Sequence, residues 1–293
     1  MRVLITGGNG VLAGVLSQEL VSKSHTVTLL DNKLMSTPYN SVVVDIRNGN
    51  DLLKAMKDHD VIVHTAALHG IHKGFYSDKE FLEVNVLGMY QVLQSAYKLG
   101  IKKIIFTSST SVYGVSRKNT REKAVYIDEN SNRQPIDIND LTKVKGEMLC
   151  NYFNQEYGMN CISLRIGRFF KGDNIFDYHL TKLYGGIDVL DVVQGIRLAV
   201  EAKNLNDNVF CLSSKIRFTK DDLPALMGQA DEVIEKYYPG ATELFKSNGV
   251  ILPKIVHRIV DIKRAEAQLG FKPANNFEEF LSELRSKKIV TIS

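Results

Sequence analysis

The chain has 293 residues, of which 44% are hydrophobic, so it can bury the core of one α/β domain with an attached lobe, or of two small domains. Lys and Arg total 37 and Asp and Glu total 33, and this small excess of positive charge does not favour a nucleic-acid partner. No apolar run approaches about 18 residues, so we expect no membrane span. A strand predicted from residue 2 leaves no room for a leader peptide, and we expect a cytoplasmic protein.

The first predicted unit is a strand at residues 3–5, a glycine-rich turn at 6–10 and a helix with apolar residues at helical spacing. This order is typical of the first βαβ unit of a dinucleotide-binding fold. Gly7 would let the chain turn sharply, and Gly10 would let the backbone approach a pyrophosphate. The N-terminus of the helix would offer unpaired N–H groups to the anion.

Two aspartates follow the next two predicted strands. Asp31 ends the strand at 26–30, about 20 residues beyond the glycine turn, where an acidic residue binds the adenosine ribose. It would also repel a 2′-phosphate, and no Arg follows it directly, so NAD is favoured over NADP. Asp45 follows the strand at 41–44 and is suited to the adenine edge.

Strands and helices continue to alternate along the chain. The later predicted strands lie at 61–64, 104–108, 161–166 and 209–212, and the later predicted helices at 78–99, 139–157 and 191–202. The alternation predicts an α/β fold, a Rossmann-type doubly wound parallel sheet with a small C-terminal substrate lobe. We expect an NAD-binding domain at 1–166 plus 187–212. The lobe would comprise an irregular insert at 167–186 and residues 213–293.

Cys150, Cys161 and Cys211 are far apart and form no CxxC pair. Small buried thiols in a reducing compartment are the simplest interpretation. The sequence therefore predicts neither a metal site nor a redox site.

Eight segments in register resemble the extended short-chain dehydrogenase/reductase family, in its NAD-dependent epimerase/dehydratase group. They are TGGNGVLA at 6–13, Asp31, DIR at 45–47, HTAA at 64–67, Asn85, SSTSVYG at 108–114, Lys143 in LTKVKGE, and DIKRAEAQLGFKP at 261–273. The resemblance implies bound NAD, usually a nucleotide-sugar substrate, and a homodimer formed through the helices at 78–99 and 139–157.

The glycine turn, the strand ends and the resemblance together predict one cofactor-binding set. Its members are Gly7, Asn9, Gly10, Val11, Leu12, Asp31, Asn32, Asp45, Ile46, Thr65, Ala66, Ala67, Asn85, Thr107, Ser108 and Lys143. Asn85 would form a structural hydrogen bond near the cofactor.

The resemblance also implies three catalytic groups, which are a hydroxyl, a tyrosine and a lysine. Ser109 matches the hydroxyl and Lys143 matches the lysine that holds the nicotinamide ribose. The tyrosine belongs four residues before the lysine, and Asn139 occupies that position. An amide cannot take up and release a proton near neutral pH, so the usual general base is missing.

Three explanations of this substitution remain open. Another group could serve as the base, and the candidates nearby in sequence are Tyr113, His69, His72, Asp137 and Asp140. Asn139 could instead hold a water that relays the proton. Alternatively, the protein binds NAD and a ligand with little or no catalysis, in a regulatory or binding role.

The residues directly after Ser109 and the short insert at 167–186 both constrain the substrate. Related 4,6-dehydratases carry an Asp–Glu pair after the hydroxyl residue, whereas Thr110 and Ser111 occupy those positions here, so elimination is disfavoured. The insert is short for gripping a diphosphate, which favours a free sugar, a sugar acid or another small hydroxy compound. His69, Ser111 and Arg168 are the candidate substrate contacts. The sequence thus favours an NAD-dependent oxidoreductase or epimerase acting on a sugar-like secondary alcohol.

Overall fold

The computed structural model describes residues 1–114, 123–170, 172 and 174–286. The strands within these ranges are β1 (Arg2–Thr6), β2 (Thr26–Asp31), β3 (Asn40–Val43), β4 (Val61–His64), β5 (Lys103–Ser109), β6 (Val125–Ile127), β7 (Asn160–Ile166), β8 (Val209–Leu212) and β9 (Arg258–Val260). Seven of them form one parallel sheet in the order β3-β2-β1-β4-β5-β7-β8. This is the α/β Rossmann-like arrangement that the sequence predicts.

Helices connect the strands and cover both faces of the sheet. They are α1 (Val11–Ser22), α2 (Gly49–Met56), α3 (Asp78–Leu82), α4 (Gly88–Lys98), α5 (Ile138–Tyr157), α6 (Ile175–Thr181), α7 (Val189–Glu201), α8 (Ala230–Tyr237), α9 (Ala241–Ser247), α10 (Lys263–Leu269) and α11 (Phe277–Arg285). A turn of π-helix at Glu83–Leu87 joins α3 to α4.

Alternate residues of β1 enter different cores, as the two-residue period of a strand requires. Val3 and Ile5 pack with α1, α7 and α10, whereas Leu4 packs with α2, α4 and α5. Both faces are therefore buried, which explains why β1 and β4 are continuous apolar runs.

A second core forms the lobe. Side chains from α6, α8, α9 and α11 pack there against the two-stranded parallel sheet of β6 and β9. The segment between these elements returns to the large sheet, because Ile262, Ala265, Leu269 and Phe271 pack in the core beside α7. The C-terminal region thus contributes to both cores.

Three predicted elements differ in detail. The third strand ends at Val43, so Asp45 lies two residues beyond it. The single helix predicted at 78–99 contains the π-helical turn and ends at Lys98. The prediction of an irregular insert at 167–186 was wrong in part, because α6 forms there with Asn174 as its N-cap.

The three cysteines are buried and free, which confirms the prediction that they are buried thiols. Within the described ranges, no group of three or more His, Cys, Asp or Glu side chains is arranged to hold a metal ion. No helix in the part of the chain that the structure describes is long and apolar enough to cross a membrane.

Candidate active site

The glycine turn lies between the end of β1 and the start of α1. Gly7 has a φ of +76°, and a Cβ there would lie 2.8 Å from the backbone nitrogen of Ala66. Gly10 is the N-cap of α1 and provides no side-chain cap, so the N–H groups of the first turn are left for another acceptor. Val11 is exposed at this end, whereas Leu12 is buried in the core.

Asp31 lies beside the glycine turn at the end of β2. Its carboxylate accepts hydrogen bonds from the backbone N–H of Asn9 (3.0 Å) and of Lys33 (3.1 Å). These bonds fix the carboxylate next to the turn, while the neighbouring Asn32 is exposed. The predicted ribose ligand and the predicted phosphate loop are therefore adjacent.

Asp45 and Ile46 lie further along the same edge of the sheet. Arg47 contacts Asp45 through both its guanidinium and its backbone, and the side-chain hydrogen bond holds the pKa of Asp45 below its usual range. Ile46 is buried beneath Gly88 of α4, where a Cβ would lie 2.7 Å from its Cδ1. The Ile46 side chain therefore packs against α4 and stabilises this edge of the sheet.

Hydrogen bonds join the ends of β1 and β4. Thr65 Oγ1 donates to the carbonyl of Thr6 (2.6 Å), and the N–H of Ala66 donates to Thr6 Oγ1 (3.2 Å). Thr6 also bonds to Nδ1 of His64 (2.8 Å), a ring whose burial lowers its pKa to about 3. His64 is accordingly a neutral packing residue.

Asn85 fixes the loop that follows β4. Its side chain accepts from the N–H of Leu68 (2.7 Å) and donates to the carbonyl of Leu68 (2.9 Å) and to Thr142 Oγ1 (2.9 Å). The π-helical turn thereby ties Leu68 to Thr142 of α5 through the Asn85 side chain.

Lys143 projects from α5 beneath the end of β5. Its Nζ donates to the carbonyl of Thr107 (2.7 Å) and lies 5.2 Å from the centre of the Phe106 ring. Burial lowers its pKa to about 8, and nearby Glu147 opposes this shift. The ammonium is therefore a poorly solvated cation that can be neutralised just above physiological pH.

The two serines at the end of β5 face different surroundings. Ser109 Oγ accepts from the N–H of Ser111 (3.1 Å), so its own hydrogen remains to be donated. Ser108 Oγ instead donates to buried Glu147 (2.6 Å). Of the pair, Ser109 therefore keeps a hydroxyl hydrogen for another acceptor, whereas the hydrogen of Ser108 is used by Glu147.

Asn139 lies one turn before Lys143 in the first turn of α5. Its Nδ2 lies 3.4 Å from Oδ1 of Asp140, and its buried Oδ1 has no hydrogen-bond partner among the residues that the structure describes. Ser111 Oγ is likewise buried and has no hydrogen-bond partner among the residues that the structure describes. Two buried side-chain oxygens without a described partner therefore lie in the turn after β5 (Ser111) and in the first turn of α5 (Asn139).

The loop after β4 brings two histidines to this cleft. Burial lowers the pKa of His69 to about 3, and the Lys143 and His72 charges add to the effect. His72 accepts the backbone N–H of His69 at Nδ1 (2.8 Å). His69 is thus a neutral ring and a weak base.

The Tyr113 hydroxyl lies in a buried hydrogen-bond network. It accepts from Arg165 Nη1 (2.7 Å), donates to the carbonyl of Asp128 (2.8 Å) and contacts Cys211 Sγ (3.2 Å). Burial raises its pKa well above its ordinary value. Arg165 is in turn paired with Glu147 (2.8 Å), so the tyrosine belongs to a buried network and does not line the cleft.

The lobe contributes two arginines and a tyrosine that approach one another. Arg258 of β9 donates from Nε to the carbonyl of Tyr184 (2.9 Å), and burial lowers its pKa although Tyr184 and Asp140 oppose the shift. Arg168 is exposed and lowers the pKa of Tyr184, which burial raises overall. The charges of Arg258 and Arg168 therefore both act on Tyr184, and Arg258 also interacts electrostatically with Asp140.

Sequence reasoning missed Arg258 and Tyr184. Arg258 stands three residues before the recognised segment at 261–273, and Tyr184 lies in the insert predicted to be irregular. The position of Arg258 depends on the pairing of β9 with β6, a contact between distant parts of the chain. No local pattern marks such a contact.

The residues present fit a bound NAD. Gly7 forms a turn with no space for a side chain, α1 begins without a side-chain cap, and Asp31 is held beside the turn. These features match a pyrophosphate on a helix N-terminus and a ribose on a carboxylate. Lys143 and Ser109 lie at the other end, where the reactive ring and the substrate would meet.

Comparison with known proteins agrees with this geometry. The model of the NAD dependent epimerase/dehydratase family matches residues 3–172. An uncharacterized protein of Methanocaldococcus jannaschii is 25% identical, with 96% of this chain and 94% of that protein covered. The uronate dehydrogenase of Pseudomonas syringae is 29% identical over 58% of this chain and 60% of its own length.

Solved structures share the fold. MoeE5 in complex with UDP-glucuronic acid and NAD superposes with a TM-score of 0.71 at 19% identity, covering 99% of this chain and all of that one. At this identity the likeness concerns the fold alone. It extends over the lobe as well as the sheet.

Proposed function

Because the chain belongs to the NAD dependent epimerase/dehydratase family, whose cofactor is NAD, we propose that it is an oxidoreductase or epimerase acting on a secondary alcohol of a sugar or nucleotide sugar. The observation that carries this proposal is Lys143, held under the end of β5 within the same cleft as the Ser109 hydroxyl. A buried cation with a lowered pKa is the kind of perturbed group that clusters at catalytic sites.

We assign Ser109 and Lys143 different roles in the proposed reaction. NAD, when bound, supplies the hydride acceptor. Ser109 donates a hydrogen bond to the reacting oxygen of the substrate and keeps its carbon near the cofactor. Lys143 holds the nicotinamide ribose and provides positive charge that stabilises a developing alkoxide.

An acidic sugar is the substrate class that the cleft favours. Arg258 is half-buried beside Tyr184 and Arg168 is exposed, so the lobe offers guanidinium groups that suit a carboxylate or phosphate. Two relatives are consistent with this choice, since one is a uronate dehydrogenase and MoeE5 was solved with UDP-glucuronic acid. His69 and Ser111 are the remaining proposed substrate contacts.

The active site is atypical, because Asn139 occupies the position of the family's tyrosine. This feature also supports the second candidate function, an NAD-binding protein with little or no catalytic activity. The unused Oδ1 of Asn139 could accept a hydrogen bond from a bound ligand in either case.

A single-turnover experiment separates the two functions. The protein and NAD are mixed with free uronates, UDP-glucuronate, UDP-glucose and neutral sugars, and the absorbance of reduced nicotinamide is followed. A rise with the acidic sugars supports net oxidation, and formation of an epimer without a rise supports epimerisation. NAD binding by calorimetry with neither product would contradict an enzymatic role and favour the binding protein.

We also propose a homodimer formed through α4 and α5. Leu87, Tyr90, Tyr97, Met148 and Tyr152 are exposed on these helices and their junction. Large exposed apolar groups on two adjacent helices are typical of a surface that a second protein covers.

A further inference from the structure

One buried carboxylate next to the end of β5 has no part in the reaction proposed above. Glu147 lies on α5, one helical turn after Lys143, and only 4% of its surface is exposed. Its contacts lead to the end of the strand that carries Ser109. This inference rests on the proposed function and concerns what holds the Ser109 hydroxyl in place.

Two side chains of α5 bind consecutive residues of β5. Lys143 Nζ donates to the carbonyl of Thr107 (2.7 Å). Ser108 Oγ donates to Oε1 of Glu147 (2.6 Å). Because Lys143 and Glu147 are one turn apart, they lie on the same face of the helix. The two bonds therefore hold β5 against α5 at the two residues that precede Ser109.

The Glu147 carboxylate is itself held by two arginines. Arg165 of β7 donates from Nε to Oε1 (2.9 Å) and from Nη2 to Oε2 (2.8 Å). Arg133 donates from Nη1 to Oε2 (3.2 Å). A carboxylate in a two-point contact with a guanidinium has little freedom to rotate. Ser108 therefore donates to an acceptor whose position is fixed.

The pairing of β5 with β7 places Ser108 beside Arg165. The register of the two parallel strands pairs these residues directly. Residues in register lie on the same face of a sheet, so both side chains reach Glu147 from one side. All three residues are buried, and solvent therefore does not compete for their hydrogen bonds.

The bond of Ser108 also sets the direction of the next side chain. Ser109 is the last residue of β5, and its φ of −144° and ψ of 147° are extended. Successive side chains of an extended strand point to opposite faces, so holding Ser108 towards α5 fixes the direction of Ser109. Without this bond, the end of the strand could twist and the Ser109 hydroxyl would move.

Stability alone does not account for the ion pair at this position. The side chains of Arg165 and Glu147 are only 5% and 2% exposed. Removing two charges from water costs much of what their attraction returns, and an apolar pair of similar volume is often as stable. An apolar pair, however, could not accept a hydrogen bond from Ser108.

We propose that Glu147 is a positioning residue, which holds Ser108 and thereby directs the Ser109 hydroxyl towards the reacting oxygen of the substrate. Arg165 keeps the carboxylate in place, and Lys143 binds the neighbouring carbonyl of β5. Glu147 exchanges no proton with the substrate and acts through Ser108 alone. A misplacement of about 1 Å in a reacting group can cost about 10²-fold in rate, so this alignment matters for catalysis.

The test uses Ser108→Ala, Glu147→Asp and the variant with both changes. Ser108→Ala removes the bond and leaves the pairing of Glu147 with Arg165 intact. Glu147→Asp keeps the charge but withdraws the carboxylate from Ser108 by one methylene group. With the sugar that the wild type converts, each change should lower kcat by about 10²-fold with little change in KM. The double variant should be no slower than Glu147→Asp, because both changes break the same bond.

Amide hydrogen exchange reports the position of Ser109 without any substrate. The N–H of Ser111 donates to Ser109 Oγ (3.1 Å), so a displaced hydroxyl should leave this N–H less protected. Exchange at Ser111 should therefore be faster in Ser108→Ala and in Glu147→Asp than in the wild type.

Two further variants separate alignment from a general loss of structure. Ser108→Thr keeps the hydroxyl and should retain most of kcat. Ser17→Ala is the matched control, because Ser17 is another buried serine that donates a bond of similar length (2.7 Å), to the carbonyl of Ala13. It should leave both kcat and the exchange at Ser111 unchanged. If Glu147→Asp fails to fold, the comparison of Ser108→Ala with Ser108→Thr decides the outcome.

The contrary results distinguish this role from the proposed function. An active wild type whose Ser108→Ala variant keeps the full kcat would overturn the positioning role and leave the proposed function intact. Losses that multiply in the double variant, or unchanged exchange at Ser111 in both single variants, would overturn it as well. A wild type that binds NAD but converts no sugar would overturn the proposed function. The exchange measurement would then still decide whether Glu147 fixes Ser109.

Discussion

Lys143 is a buried cation with little solvation. Its protonation therefore affects both the free energy of unfolding and the proposed catalytic role. Its pKa of about 8 lies below the 10.5 of an unperturbed lysine. The unfolded chain therefore binds more protons than the folded one between these values, and stability should rise with pH across that window. Below pH 8 the charged, buried lysine destabilises the fold.

Lys143→Met should remove this cost along with the catalytic charge. The shift corresponds to at most about 3 kcal/mol, from which the lost hydrogen bond to Thr107 subtracts. Relative to wild type, the variant should gain stability below pH 8 and lose that gain as pH rises towards 10.5. Urea unfolding at several pH values measures this slope, and Lys145→Met, at an exposed position on α5, is the control. A difference independent of pH would contradict the prediction.

Asn139→Tyr should restore the base that the family uses. The new hydroxyl would lie one helical turn from Lys143, whose charge lowers the pKa of a nearby phenol. We expect the single-turnover rate of oxidation to increase, by up to about 10²-fold, the lower range for a general base. Asn139→Phe provides the ring without the hydroxyl and should give no increase. Equal rates for the two variants would argue against the assigned position.

At the scale of elements, the turn between β1 and α1 restricts which residues can be accommodated, because Gly7 has no space for a side chain. Gly7→Ala would place a Cβ 2.8 Å from the nitrogen of Ala66 at a φ of +76°. We expect a loss of about 1–3 kcal/mol in the free energy of unfolding and weaker NAD binding. Gly14→Ala, where nothing lies within 4 Å, should instead stabilise α1 by roughly 0.5–1 kcal/mol. Thermal unfolding and calorimetry of the two variants test this contrast, and equal effects would contradict it.

The elements that the sequence predicts well are those with a strong local signal. The apolar runs of β1, β4 and β5 and the apolar spacing of α5 need no tertiary information. The π-helical turn at Glu83–Leu87 has the same apolar spacing as an α-helix, so only the structure distinguishes it. Helix α6 is short, and its Asn174 cap is a weak signal within an aromatic segment.

At the scale of the whole molecule, the candidate site depends on contacts between distant segments. The side chains that follow β1, β2 and β5 could be assigned to one cleft because parallel strands share an edge. The place of Arg258 could not, since it depends on the pairing of β6 with β9 across more than a hundred residues. The contribution of Arg258 to the acidic-sugar proposal therefore required the folded chain, whereas a sugar acid as substrate and Arg168 as a contact are candidates from the sequence alone.

The proposed dimer also depends on the whole molecule. Helices α4 and α5 cover one face of the sheet, and no other element of the described chain covers their outer sides. Tyr97 and Tyr152 both contact Tyr157, which makes a continuous aromatic surface across the two helices.

Tyr152→Glu would place a charge in the centre of the proposed interface, where burying it unpaired is costly. Sedimentation should give a dimer for wild type and a monomer for this variant. Ile251→Glu changes an exposed apolar residue elsewhere and should stay dimeric. A monomeric wild type at concentrations well above micromolar would refute the interface, whereas loss of dimer only in Tyr152→Glu would assign it to α4 and α5.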